Sequence, residues 1–256
     1  MRQKMKKVII ATIIILMAHA HGAQAFFPLK TDDTGTEGKG KGKIKITGSY
    51  EHDDSSGQEK STTKPKAALT YGLSDTMDIG IGQPYKIKRK KINNQVSKSD
   101  GVADTEVEFK WRCYEQNDLS FALKPSLTLP TGDEAKGLGS GRMTSSLFLL
   151  STIQAEPWAF HFTAGYEHNE NRLTERVALW HLSTAAEYTL KKGFKLVGEV
   201  GIDRNTDESS NTHPAYAAVG FIYALAENIN IRLGLRCGLN RTAPDYTVLP
   251  GIELKF

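Results

Sequence analysis

His161 and His181, with Ser145, Ser183 and Asn169, supply the side-chain types of a nucleophilic hydrolase. A catalytic triad is defined by geometry rather than by spacing, and the chain has no G-x-S-x-G to mark a nucleophile elbow. The expectation is a non-enzyme in which both histidines make ordinary hydrogen bonds. Asp33-Thr34-Gly35 matches the aspartic protease triplet, but it lies in a Gly/Lys-rich stretch with no flanking apolar strand and no second copy, and reads as a turn. Gly35 to Gly42 has the glycines of a phosphate loop without the Ser/Thr after the lysine, the preceding strand or the following helix. No Cys, His or carboxylate group has metal-ligand spacing, so neither metal nor cofactor is expected.

The remaining chemistry is charge at alternate positions. Lys45, Glu106, Glu108, Lys110, Arg112, Lys124, Glu199, Asp203, Arg232 and Arg236 fall opposite the apolar residues of their own segments. They are the candidate pore-lining residues, joined at the same parity by Lys43, Glu51, Asp78, Glu187, Lys195, Glu253 and Lys255. Both signs on one face suit a water-filled pore whose field screens solutes. They also suit a lumen closed by ion pairs, as in small barrels.

Twelve alternating segments position these charges, near 43–52, 66–73, 76–88, 104–114, 119–129, 143–154, 158–168, 178–190, 194–204, 213–225, 229–238 and 246–256. Tight turns (74–75, 115–118, 155–157, 191–193, 226–228) alternate with longer polar loops (53–65, 89–103, 130–142, 169–177, 205–212, 239–245). That asymmetry predicts an all-β fold, a transmembrane up-and-down antiparallel β-barrel of about twelve strands. In 229–238, Ile229, Ile231, Leu233, Leu235 and Cys237 oppose Asn230, Arg232, Gly234, Arg236 and Gly238. The same pattern runs through 119–129 and 158–168, with the first set facing lipid and the second the lumen. Segment 143–154 gives no clean choice of face, because Phe148 and Leu150 oppose Leu147 and Leu149. A soluble β-sandwich also alternates, but its strands are shorter. Tyr50, Tyr71, Tyr85, Trp111, Trp158, Tyr166, Trp180, Tyr188, Tyr223 and Tyr246 cluster near segment ends, as interfacial girdles require. Phe256 ends the last segment on the lipid-facing parity, where it would pair with the first strand and engage the barrel-assembly machinery.

Residues 1–25 read as a signal peptide for export to the bacterial outer membrane. Arg2, Lys4, Lys6 and Lys7 precede a mostly apolar run from Val8 to Met17, and Ala23-Gln24-Ala25 gives small-x-small. They hold four of the 33 basic residues and none of the 29 acidic ones, so the remainder balances at 29 each. The basic pI is therefore no sign of nucleic acid binding, which needs a basic patch in the folded domain. Cys113 and Cys237 are expected at opposite ends of the barrel as free thiols, beyond the roughly 7 Å a disulfide allows. Lys86, Lys88, Arg89, Lys90 and Lys91 form a basic run, either an anion funnel or lipopolysaccharide contact, or a solvated strand extension. Pro125 and Pro250 remove ladder donors and mark weak points in the wall, a route for a lateral opening.

The stretch Phe27-Pro28-Leu29-Lys30-Thr31-Asp32-Asp33-Thr34-Gly35-Thr36-Glu37-Gly38-Lys39-Gly40 closely resembles the leader of an outer-membrane barrel family labelled "MetA-pathway of phenol degradation". Leu129-Pro130-Thr131-Gly132-Asp133 with Lys136-Gly137-Leu138-Gly139-Ser140-Gly141 is similar to a loop of the same family. The resemblance implies a Gram-negative outer-membrane channel or transporter for passive uptake of small solutes, with aromatic or hydrophobic ones among the candidates. It carries over no functional residue. The expected organisation is a signal peptide at 1–25, a Gly/Lys-rich periplasmic leader or lumen plug at 26–42, and a barrel at 43–256. Expected partners are outer-membrane lipid and lipopolysaccharide, a small-molecule solute, and no nucleic acid. The rivals are a closed structural or surface-interaction barrel and an outer-membrane hydrolase.

Overall fold

The computed structural model describes residues 27–55 and 58–256. The signal peptide expected at 1–25 lies outside the described residues. Fifteen strands form one sheet: β1 Gly42–Thr47, β2 Tyr50–Ser55, β3 Gln58–Thr63, β4 Lys66–Ser74, β5 Met77–Ile92, β6 Gln95–Val102, β7 Thr105–Gln116 and β8 Leu119–Leu129, then β9 Thr144–Ala155, β10 Trp158–His168, β11 Ala178–Lys191, β12 Phe194–Asp203, β13 Ala215–Ala226, β14 Ile229–Gly238 and β15 Tyr246–Lys255. Three of the walls' staves are broken in two, at Gly48-Ser49, at Lys64-Pro65 and at Ala103-Asp104. Counting β1/β2, β3/β4 and β6/β7 as single staves gives a closed antiparallel barrel of twelve strands. Closure comes from β1 on β15, with Ile44 opposite Leu254 and Ile46 opposite Ile252. Gly42 and Phe256 exchange backbone hydrogen bonds of 2.8 and 2.9 Å at that seam.

Two of the expected long loops are strands. Residues 53–65 carry the β2/β3 hairpin, and 89–103 carry the tips of β5 and β6. Asn93 and Asn94, with φ of 48° and 65°, make the two-residue turn that matches strand twist. Polar side chains hid these extensions, because above a membrane both faces of a strand meet water. The basic run therefore lies on a strand extension, where Arg89 and Lys91 approach Glu59 at 3.6 and 3.8 Å.

Exposed aromatics fall in two belts. Tyr71, Trp111, Trp158 and Tyr223 lie toward the tight-turn end, and Tyr50, Tyr85, Tyr166 and Tyr246 toward the other. Phe148 and Leu150 point inward on β9, while Leu147 and Leu149 point out. Gly165 of the neighbouring strand leaves the space the Phe148 ring fills, and Leu150 packs opposite Ala122. An apolar inward pair is why that segment's parity was ambiguous. Cys113 and Cys237 are free and exposed. The β7–β8 ladder skips Phe109 and Lys110 against Lys124 and Pro125. At Pro250 the ladder to β14 is continuous, and its carbonyl accepts from Gly48 across the β1/β2 break.

Candidate functional site

Residues 27–41 run inside the barrel before joining β1. They form an arc along one side of the wall, touching each strand from β8 to β15 in turn. The Thr34 hydroxyl meets Ser120 of β8 at 2.5 Å, and its amide donates to Thr152 of β9 at 3.2 Å. The Asp32 amide donates to Thr163 of β10 at 3.0 Å. The Thr31 hydroxyl donates to Glu199 of β12 at 2.7 Å and lies 2.8 Å from the Ser183 hydroxyl of β11, and the Lys30 amide donates to Glu199 at 3.1 Å. Leu29 packs among Ala185, Val197, Ala218 and Ile222. Pro28 sits over Gly220 and Gly234, where a Cβ would fall 2.8 and 2.7 Å from its ring. Phe27 lies over Gly251 of β15.

Inward-facing serines, threonines, alanines and glycines make this groove. They are short enough to admit a chain and polar enough to satisfy its amides, which buried backbone requires. Ionic anchors hold it. Asp32 accepts from Lys110 at 3.0 Å and from Lys124 at 2.6 Å, both nearly buried. These lysines stand beside each other where the β7–β8 ladder skips, so Asp32 bridges two like charges at that gap. Lys30 pairs with Asp203 at 2.6 Å. Arg232, 2 % exposed, pairs with the fully buried Glu253 at 3.0 Å and donates to the Phe27 carbonyl at 2.9 Å. Nearer the tight-turn end, Glu37 pairs with Lys43 and its amide donates to Asp78.

The structure places the ten candidate charges in three groups. Lys110, Lys124, Glu199, Asp203 and Arg232 hold residues 27–33. Arg112 lies near the tight-turn end, donating to the Asp75 carbonyl at 3.0 Å and pairing with Glu115 at 3.3 Å. Lys45, Glu106, Glu108 and Arg236 line a cavity of about 390 Å³ beside the arc. Its floor is Phe27, Pro28, Leu29 and Lys30, and its walls come from β1, β2, β4, β7, β14 and β15. Glu106 is held by Lys66 and, at 3.6 Å, by Lys64. The groove hydroxyls Ser120, Thr152, Thr163 and Ser183 were not among the expected site residues. Their signal was small inward side chains on four neighbouring strands.

The hydrolase residue types do meet in part. His181 contacts Asp203 through Nδ1 at 2.7 Å and Ser183 through Nε2 at 2.8 Å. Ser183 also meets the Thr31 hydroxyl at 2.8 Å and is 4 % exposed beneath the leader. That chain of hydrogen bonds holds residues 30 and 31 and presents no accessible nucleophile. His161, by contrast, contacts Thr152 through Nδ1 at 3.0 Å, and Asn169 caps its own loop through the Arg176 carbonyl at 3.2 Å. At the far end, Asp104 organises the loop 130–142, accepting from the amides of Gly132 and Ser140 at 2.8 and 2.7 Å and from the Ser140 hydroxyl at 2.9 Å. Leu138 is buried there, and Lys88 donates to the Gly137 carbonyl.

Solved structures share this architecture. An outer membrane channel from Pseudomonas putida F1 aligns with a TM-score of 0.72 at 14% identity, over 89% of this chain and all of that one. The translocator domain of the autotransporter NalP from Neisseria meningitidis aligns at 0.56 and 10% identity, covering 87% of this chain and 91% of that one. The KdgM porin, solved in complex with disordered oligogalacturonate, aligns at 0.55 and 12% identity, covering 82% and 99%. At such identities the likeness establishes the barrel fold. No protein of curated function matches the chain. Residues 73–256 match the family described as putative MetA-pathway of phenol degradation, and the chain belongs to that family.

Proposed function

We propose that this protein is an outer-membrane channel for passive uptake of small solutes, with residues 27–41 as a displaceable plug. The observation that carries the reading is the occupant of the lumen. Side chains alone fill a barrel of about eight strands, and twelve enclose more room than that. Here hydroxyls, alanines and glycines of β8–β15 leave a groove between the longer charged residues, and a segment without regular structure lies in it. The cavity beside it is a vestibule on the long-connection side, which is extracellular in this class. Export through the signal peptide, assembly through the Phe256 strand, and lipopolysaccharide contact at the basic β5/β6 tip complete the proposal. The channel fold in related structures supports it, and so does the family's pathway label for small aromatic solutes.

The test is single-channel conductance of the purified protein in a planar bilayer, beside a variant lacking residues 27–36. The expected result is a small or intermittent conductance that becomes large and steady on deletion. Silence from both, with folding shown by heat-modifiable gel mobility, would favour the closed structural barrel instead. Arg232 is unsuitable for charge reversal, since it holds Phe27 and Glu253.

A further inference from the structure

The lumen cations are not equivalent. Lys110, Lys124, Lys195 and Arg232 each meet a carboxylate within 3.0 Å. Arg236 meets none. Its guanidinium stacks on the Tyr216 ring, 4.8 Å from the centroid, and its Nε is buried with no hydrogen-bond partner among the described residues. A guanidinium has five donors and no acceptor, and donors shielded from water without partners carry a free-energy cost. Four residues apart on β14, Arg232 is held by Glu253 and the Phe27 carbonyl, and Arg236 lines the cavity.

We propose that the cavity binds a small monocarboxylate with an apolar body, anchored by Arg236; this deepens the channel reading and rests on it. The planar fork of an arginine matches the two oxygens of a carboxylate. Tyr216 fixes the plane of that fork from behind, so little side-chain freedom is lost on binding. Within the lining Lys30 pairs with Asp203, and Lys64 and Lys66 share Glu106, so the attraction for an anion comes from Arg236, with Lys45 the other cation of the cavity that meets no carboxylate among the described residues. Glu51 limits the ligand to one negative charge. It flanks Thr247 on one side as Arg236 does on the other, so a second carboxylate would meet it. The floor sets the rest of the molecule. Phe27, Pro28 and Leu29 offer apolar surface, and about 390 Å³ falls within the range of small-molecule pockets. A benzoate-like or branched aliphatic acid fits this chemistry.

The experiment is calorimetric titration of the detergent-purified protein with benzoate, phenol and benzylamine, in wild type, Arg236→Gln and Arg236→Lys. Benzoate is expected to bind best of the three. It should weaken about tenfold or more in Arg236→Gln, in line with loss of a charged hydrogen bond. Arg236→Lys should lie between, and phenol should not distinguish the variants. Gel mobility checks folding, and the lysine variant keeps a charge at the site should the glutamine variant misfold. Equal benzoate affinity in wild type and the folded variants would overturn the proposal, as would preference for benzylamine. Conductance separates the two readings. Arg236-dependent benzoate binding in a protein silent with or without its leader retires the channel and keeps the site. Steady conductance without Arg236-dependent binding retires the site and keeps the channel.

Discussion

The two sides of this lumen follow different rules. Beneath the leader, Ser120, Thr152, Thr163, Ser183, Ala218, Gly234 and Gly251 of β8–β15 face inward as a short-sided groove, and Lys124, Glu199 and Arg232 rise beside it to hold the segment that lies there. Along β1–β7 the wall is long-sided and charged: Lys45, Glu51, Lys64, Lys66, Glu106 and Glu108 face a cavity. The first side recognises backbone, since an amide needs an acceptor at hydrogen-bond distance and no bulk above it. The second side leaves charge facing water, where a solute would pass. Charge at lumen positions therefore has two meanings. On the covered side it moors a plug, and on the open side it is available.

The mooring gives the largest expected effect. Asp32→Asn leaves Lys124 without its carboxylate and Lys110 with only Asp33, at 3.9 Å. Removing one partner of a buried pair costs about 3–5 kcal/mol. Charged to leader docking, that is a change of about 10² to nearly 10⁴ in the docked population. Trypsin added to the folded barrel should then cut at Lys30 or Lys39 that much faster than in wild type. If the leader stays protected, Asp32 is not its anchor, and the two sides of the lumen differ less than the contacts imply.

Close approach gives a second, smaller effect that sharpens the contrast. A Cβ on Gly72 would fall 2.0 Å from the Gly38 carbonyl oxygen, which is backbone and cannot swing away. Farther up the same wall, away from the leader, a Cβ on Gly82 meets the Lys66 Cε at 2.4 Å, the mobile end of a long side chain. Gly72→Ala should loosen the base of the leader, at an overpacking cost of about 1–3 kcal/mol. Gly82→Ala should leave protection unchanged. The same protease assay reads both, and equal loosening by the two substitutions would contradict the division.

Much of this was legible in the chain, for a physical reason. A strand's period of two is strict, so Ile231, Leu233 and Leu235 against Arg232, Gly234 and Arg236 marks both faces with no knowledge of partners. The tips of β2/β3 and β5/β6 were not legible as paired strands, because above the membrane neither face needs to be apolar and 53–65 and 89–103 read as loops. The Phe148 face was masked by an inward ring that fits only because Gly165 lies opposite on another strand. The site was half legible. Parity placed Arg232 and Arg236 together, but partners separate them, and partners come from register and from a segment some 200 residues away. The groove hydroxyls drew no notice one strand at a time, since a lone inward serine is unremarkable in a barrel.

Selectivity is expected to change less. Lys45 lines the cavity and has no ion pair or hydrogen bond within reach among the described residues. Lys45→Glu in the leader-deleted channel should move reversal potentials toward cation preference by a few-fold at about 0.1 M salt. The shift should fade by about 1 M, where the screening length is only about 3 Å. Lys195→Glu, which sets two carboxylates together at Glu187 on the covered side, should instead lower stability. A salt-independent shift from Lys45→Glu would mean the pore is narrow enough there for direct contact.

The smallest effect belongs to the outer rim. Arg89 and Lys98 face each other across β5 and β6 on the lipid-facing side, beyond Tyr85 of the aromatic belt. Like charges opposite one another are unfavourable, and Glu59 and Asp100 compensate them only at 3.6 and 3.8 Å. Exposed pairs of this kind contribute about 0–1 kcal/mol, so Arg89→Gln with Lys98→Gln should barely alter stability in detergent. Lipopolysaccharide brings phosphates to this height, and a phosphate between two cations relieves their repulsion. Added lipopolysaccharide should therefore raise the melting temperature of wild type by a degree or two more than that of the double variant. Identical shifts would make the basic tip a solvated strand end, and would leave the open side of the lumen as the place where this chain's unpaired cations act.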